Sequence, residues 1–292
     1  MLTQPDYAAM DLVPCGTITD VLHAVTSGEV EIGFVPIENA IEGSVNITLD
    51  ALIFDHELRM QREVVIPIVM CLLAPPGVGL GDIDRIVSIP VATAQCRGFL
   101  REQLPRVEHV PANSTALAAQ IVAGEADGRS AAIGTSLAGK VNGLAVLAED
   151  IEDHRGNETR FVAVTRGGVP APTGHDKTTI VVFQRADRPG SLLSILQEFA
   201  ARAINLTRLE SRPTKRGLGD YCFIIDLEGH VGDELVADAL RDLKSKNEDV
   251  LFLGSYTAAG ETAPRVRREA EVAWREANDW VQALRAEVPP TA

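Results

Sequence analysis

Ala131-Ala132-Ile133-Gly134-Thr135-Ser136 joins an apolar run to a glycine and two hydroxyl residues. Such a step reads as a buried strand passing through a polar turn into a helix start. Two earlier segments repeat it. Ile86-Val87-Ser88-Ile89 runs through Pro90 into a helix carrying Gln95 and Cys96. Val107 to Val110 runs through Asn113-Ser114-Thr115 into a helix containing Leu117, Ile121 and Val122. Nearer the N-terminus, Ile18, Val21, Leu22 and Val25 keep helical spacing up to Gly28, and Ile32 to Ile37 is a short apolar strand. Ser44 is placed to cap a helix burying Val45, Leu49, Leu52 and Ile53, and Glu63 to Leu73 reads as one further strand. Strand, polar turn and helix in alternation predict an α/β fold.

The pattern changes after a Gly/Pro-rich linker at 166–176. Thr178 to Gln184 reads as a strand, Asp187-Arg188-Pro189-Gly190 as a turn, and Ser191 to Ala203 as an amphipathic helix. Asn205 to Arg212 is a strand, Gly217-Leu218-Gly219 a hairpin turn, and Tyr221 to Leu227 another strand. Val231 to Lys246 is a helix and Val250 to Leu253 the last strand. That order is βαββαβ, the ferredoxin-like plan. Beyond Pro264 a helix is expected with Val266, Ala270, Ala273, Ala277, Trp280 or Val281, and Leu284 on one face, docked on the body or on a neighbouring subunit.

The length, 292 residues, suits two domains. A net charge of −14 argues against nucleic acid or an anionic membrane as partner. Cys15, Cys71, Cys96 and Cys222 lack CxxC spacing and read as free thiols. The apolar run from Val64 to Leu73 is shorter than the ~18 residues of a membrane span. A cytoplasmic location is expected. The six histidines have no metal-ligand spacing, so no metal and no cofactor is expected.

In α/β sheets ligands sit beyond the carboxyl ends of strands, where helix starts offer free amides. Four stretches qualify: Glu38 to Ser44, Ser88 to Gln95, Asn113 to Thr115, and Gly134 to Ser136. Gly156-Asn157-Glu158-Thr159-Arg160-Phe161 adds an amide, a hydroxyl and a guanidinium ahead of a strand. The candidate donors are otherwise neutral: Asn39, Ser44, Gln95, Ser114, Thr115 and Thr159. They orient and polarise but cannot drive difficult acid–base chemistry. A reaction served by them needs a strong driving force of its own.

The motifs Pro36-Ile37-Glu38-Asn39 with Gly43, Ala94-Gln95-Cys96, Asn113-Ser114-Thr115-Ala116 and Thr159-Arg160-Phe161 resemble those of the prephenate dehydratases. Arg188-Pro189-Gly190-Ser191-Leu192, Asn205-Leu206-Thr207-Arg208 and Glu210-Ser211-Arg212-Pro213 resemble the regulatory ACT domain of that family. The match runs in order over about residues 11–257. It implies a two-lobed, periplasmic-binding-protein-like catalytic domain at 1–168, with its second lobe at about 76–155. A ferredoxin-like ACT domain at 177–257 and a tail at 258–292 would follow.

The implied reaction is the decarboxylating dehydration of prephenate to phenylpyruvate, driven by aromatisation. The resemblance makes Thr159 the proton donor to the departing hydroxyl. Arg160, Ser114 and Thr115 would receive carboxylate oxygens, Asn39 and Gln95 would orient the ring, and Ser44 and Phe161 would complete the substrate site. Feedback by L-phenylalanine is implied at Gly190, Ser191, Leu192, Leu193, Glu210, Ser211, Arg212 and Pro213, in a homodimer or homotetramer. Family members open with a strand and Gly-rich turn that this chain is expected to lack. Ile89 stands where they carry histidine, and Ala40 where they carry Ser or Thr. The alternative expectation is a catalytically impaired phenylalanine-binding regulatory protein.

Overall fold

The computed structural model describes residues 7, 9–125, 128–184, 189–217, 219–260 and 265–287. It divides into two compact units. One comprises 1–38, 44–65 and 160–292, and the other 39–43 and 66–159. The chain therefore passes between them at Glu38/Asn39, Gly43/Ser44, Val65/Ile66 and Thr159/Arg160.

The second unit is built on a five-stranded sheet. Its strands are β4 (Cys71–Ala74), β5 (Arg85–Ser88), β6 (Glu108–Pro111), β7 (Ser130–Gly134) and β8 (Ala145–Ala148), in spatial order β6-β5-β7-β4-β8. β5 lies parallel to β6 and β7, and β4 antiparallel to β7 and β8. Every residue of β4 and β7 is buried, as expected of strands covered on both faces. One face packs Leu72, Ile86, Ile133 and Leu100, the other Leu73, Val87, Ala118 and Val122. The stretch Glu63 to Leu73, read as one strand, is two. β3 (Arg59–Pro67) ends at a proline, which cannot donate to a ladder, and β4 starts four residues later in the other sheet.

The first unit carries α1 (Ile18–Ser27), capped by Thr17 and closed by left-handed Gly28, and most of β1 (Gly33–Asn39) and β9 (Glu158–Thr165), whose ends at Asn39 and at Glu158 and Thr159 belong to the second unit, as does Gly43 of β2 (Gly43–Ser44). The second half supplies β10 (Asp176–Phe183), α7 (Ser191–Ala200), β11 (Leu206–Pro213), β12 (Tyr221–Glu228), α8 (Glu234–Lys246) and β13 (Asp249–Thr257), with α2 (Asn46–Asp50), α3 (Pro90–Gln95), α4 (Arg97–Gln103), α5 (Thr115–Gly124) and α6 (Ser136–Val141) earlier in the chain. This is the expected βαββαβ order. Its strands run β11-β12-β10-β13 and continue into β3-β9-β1-β2 as one eight-stranded sheet.

The junction is a parallel pairing of Thr257 with Arg62. Gly254 makes the approach possible. A Cβ there would lie 2.4 Å from the Met60 carbonyl oxygen, and its φ is 152°. Met60 and Tyr256 share one buried cluster with Val35, Val162 and Val181, so one core runs beneath both sets of strands.

The last helix, α9 (Arg265–Ala286), sets Trp274 against the core formed by Phe199, Ile225 and Leu243. Trp280 and Leu284, expected on a docked face, are exposed. Val266, Ala270 and Ala273 fall outside the described side chains. So do the turn residues Asp187 and Arg188 and the hairpin residue Leu218.

Candidate active site

Two networks start from neighbouring residues of β1 and β9. Successive side chains of a strand point to opposite faces, so Asn39 and Glu38 diverge, as do Thr159 and Arg160.

The first network is made of neutral amides and a hydroxyl and ends on the carboxylate of Glu42. Asn39 Nδ2 donates to Asn157 Oδ1 at 2.8 Å and to Thr159 Oγ1 at 2.9 Å. Its Oδ1 accepts from the amides of Ile41 and Glu42, which fixes the turn after β1. Asn157, two residues before Thr159 and buried, donates to Gln95 Oε1 at 3.4 Å, and Gln95 Nε2 donates to Glu42 Oε1 at 3.3 Å. Backbone bonds hold the frame: Ala40 N to Glu158 O, Ile68 N to Asn157 O, and Asp153 N to Gln95 O. Thr159 Oγ1 is thus occupied as an acceptor. Among the described residues no acceptor takes its own proton, and the hydroxyl is half-buried. The result is a threonine oriented by an amide with its O–H left to donate.

The second network is ionic. Arg160 Nε donates to Glu63 Oε2 at 2.6 Å, Nη1 to Asp226 Oδ2 at 2.5 Å and to Glu38 Oε2 at 3.3 Å, and Nη2 to the Tyr256 hydroxyl at 2.8 Å. Lys177 Nζ bonds Glu63 as well. Burial works against the Arg160 charge, but Tyr256, Asp226 and Glu63 more than offset it and raise its pKa. Burial likewise works to raise the Asp226 carboxyl, and the charges of Arg160 and Arg208 outweigh it and hold it below the ordinary carboxylate value. With four of five N–H groups engaged and the side chain buried, Arg160 is not a free receptor for the substrate carboxylate that the family resemblance implies for it. Its neighbour Phe161 stacks on Phe34, centroids 5.1 Å apart, and serves packing.

Ser44 also departs from expectation. Val45 occupies the N-cap position of α2, and the Ser44 hydroxyl donates to Glu210 Oε2 (2.5 Å) while accepting from Arg208 Nη2 (2.6 Å). Arg212 bonds Asp50 and Asn46 of α2. Two effector-motif residues, Glu210 and Arg212, are therefore bonded to the segment 44–50. Burial opposes the Glu210 charge, but hydrogen bonds from Ser44 and Arg208 win and lower its pKa. Ser211 lines a cavity of about 450 Å³ with Phe183, Gln184, Tyr221 and Phe223. Gly190, in the left-handed region at φ 87°, starts α7. Leu192 packs on the core, Leu193 is exposed, and Pro213 ends β11.

Ser114 caps α5 by accepting from Leu117 N, and Thr115 is the first residue of that helix. Among the described residues neither bonds to the amide network. Glu38 to Ser44, read as a helix start, is a strand end followed by the Asn39 turn. Ile89 packs against the buried cluster that holds Leu100 and Ile133. Cys96 is fully buried, and burial, then Glu152 and Asp153, push its thiol up to about 12, so it is no nucleophile. Glu42 carries no signal of its own in the sequence, and the amide of Asn157, noted in the stretch 156–161, has no role assigned there. Asn157 was recoverable, because two-residue spacing puts it on the face of Thr159.

A family model described as prephenate dehydratase matches residues 3–168, and one described as ACT domain matches residues 178–245. A prephenate dehydratase of Mycolicibacterium vanbaalenii is 44% identical over 259 residues, covering 87% of this chain and 82% of that protein. One of Amycolatopsis methanolica is 42% identical over 284 residues, with 95% and 90% coverage. The crystal structure of prephenate dehydratase in complex with L-Phe from Arthrobacter aurescens aligns with a TM-score of 0.88 at 43% identity, covering 97% of this chain and 94% of that one.

Proposed function

The chain belongs to the prephenate dehydratase family, and from that premise we propose that Thr159 is the proton donor in conversion of prephenate to phenylpyruvate. The observation that carries this reading is the Asn39–Thr159 hydrogen bond, which occupies one lone pair of the hydroxyl, orients it and leaves its proton available. The O–H of Thr159 gives its proton to the leaving ring hydroxyl, which departs as water. The bond to the ring carboxylate breaks, carbon dioxide leaves, and that electron pair enters the ring. One proton is taken up overall and returns to Thr159 from solvent.

A threonine is a very weak acid, so it serves only because aromatisation pulls the reaction forward. Asn39 and Gln95 orient the ring, and Ser114 and Thr115 at the start of α5 receive a carboxylate oxygen. Asn157 holds Asn39 and Gln95 in one frame. No helix among the described residues is long and apolar enough to cross a membrane, and we place the protein in the cytoplasm.

L-Phenylalanine is the proposed feedback ligand of the ACT half. The relative from Arthrobacter aurescens was solved in complex with L-Phe. In this chain the support is the cavity that joins Ser211 to Phe183, Tyr221 and Phe223, where an aromatic side chain finds apolar walls and polar groups together. Gly190 to Leu193 and Glu210 to Pro213 complete the effector site in a homodimer or homotetramer. A catalytically impaired phenylalanine-binding protein is not favoured, because the prephenate dehydratase model matches residues 3–168 and Asn39, Asn157 and Gln95 hold Thr159 in one hydrogen-bonded frame.

Thr159→Ala tests the central role. Phenylpyruvate formation should fall by about 10²–10⁴-fold while prephenate still binds. A variant that keeps full turnover removes Thr159 from the chemistry.

A further inference from the structure

Arg160 holds four groups, and two of them, Asp226 and Tyr256, are joined into a ring by Thr179. Its Nη1 donates to Asp226 Oδ2 and its Nη2 to the Tyr256 hydroxyl. Tyr256 and Thr179 share a 2.6 Å hydrogen bond, and Thr179 Oγ1 donates to Asp226 Oδ1 at 2.8 Å. The carboxylate can only accept, so the directions follow. Thr179 spends its proton on Asp226, Tyr256 therefore donates to Thr179, and the Tyr256 oxygen accepts from Arg160.

Asp226 lies on β12, Thr179 on β10 and Tyr256 on β13, so Arg160 bonds two strands of the ACT half directly and the ring it closes spans three adjacent ones. All three side chains are 0% exposed. On the other side Arg160 binds Glu38 and Glu63, from β1 and β3. Each contact lies within the first unit. The next residue back along β9 is Thr159, and the next residue forward along β1 from Glu38 is Asn39.

We propose that Arg160 is a positioning residue, not a substrate ligand. By gripping Asp226 and Tyr256 it makes the strand that carries Thr159 answer to the state of the ACT sheet. The inference rests on Thr159 as proton donor. A planar guanidinium bonded through four of its five N–H groups resists rotation. It fixes the backbone of β9 at the residue where Thr159 begins. A shift of β10, β12 or β13 on effector binding then reaches the hydroxyl through one peptide bond, with Asn39 displaced in parallel through Glu38.

Tyr256→Phe removes one hydroxyl from the ring and keeps the aromatic packing, and Thr179→Val opens the same ring on a second strand. Steady-state turnover of prephenate with and without L-phenylalanine, on the full chain, reads the effect, and calorimetry reads phenylalanine binding. Both variants should lose on the order of tenfold in kcat with KM little changed. They should bind phenylalanine as before yet be less inhibited by it. Wild-type kcat, a change in KM alone, or undiminished inhibition in either folded variant overturns the proposal. A rise in KM alone would mean that Arg160 binds substrate. Thr159→Ala separates the two readings. If it is inactive while Tyr256→Phe and Thr179→Val behave as wild type, only the positioning role fails. If it is fully active, the assignment of the proton donor fails first.

Discussion

Thr159 and Arg160 are consecutive residues in opposite chemical surroundings. Thr159 sits among amides, with Asn39, Asn157 and Gln95 passing hydrogen bonds between neutral groups and one hydroxyl proton left over. Arg160 sits among carboxylates, with Glu63, Asp226 and Glu38 around it and little hydrogen-bonding capacity to spare. The neutral network can afford an unmet donor because half-buried hydroxyls still reach water or a ligand. The ionic network cannot, since a buried charge without partners is costly. An incomplete network marks the place where a ligand acts, and a complete one marks a joint.

The largest contrast comes from the Thr159 hydroxyl, the proposed proton donor. Thr159→Ser should recover most of the turnover that Thr159→Ala loses, whereas neither change should alter the unfolding free energy by more than about 1 kcal/mol. Rate assays and denaturant unfolding on the same pair check both halves. Glu63→Gln should do the reverse of a chemical lesion. It removes the charge that faces Arg160 and Lys177, and breaking such a buried pair should cost about 3–5 kcal/mol of stability. An unchanged denaturation midpoint would make the ionic joint incidental.

Asn157→Ala is a smaller test. It leaves Asn39 without one acceptor and Gln95 without one donor, which should cost about 1–3 kcal/mol. Turnover should fall more than stability does, because Asn39 then loses its fixed orientation.

Acid distinguishes the two networks most gently. Asp226 and Glu210 have folded pKa values below their ordinary 3.8 and 4.5. Their contribution to stability is present above those ordinary values and is lost as pH falls through the lowered ones. Unfolding followed from pH 7 downward should therefore show stability declining below about pH 4.5. The side chains of Asn39, Asn157 and Gln95 carry no titratable proton in this range, so the bonds among them add nothing to that slope. Asp226→Asn should flatten it.

Much of the fold was open to reading in the chain. Local apolar spacing located α1, β1, β5, α5 and β7, and in the second half every element of the βαββαβ order. Ser114 and Thr135 were legible as helix starts because capping is a local bargain between a hydroxyl and an amide three residues away. Glu63 to Leu73 was misread because an apolar run looks continuous until the sheets on either side of Pro67 are known. Ser44 had the right residue type for a cap, but Arg208 and Glu210, more than 160 positions later, claim its hydroxyl.

By itself, the sequence determined the α/β class, the ACT-like half and the residues Asn39, Gln95 and Thr159 as members of one neutral donor set. Periodicity and residue chemistry suffice for that, since both act within a few positions. Only the tertiary structure decided that Arg160 turns into a charged joint while Thr159 keeps a free proton. Strand alternation says that the two side chains part company, but not what waits on each face. That depends on β12 and β13 meeting β3 and β9 in one sheet, an encounter permitted by Gly254 and invisible to any local rule.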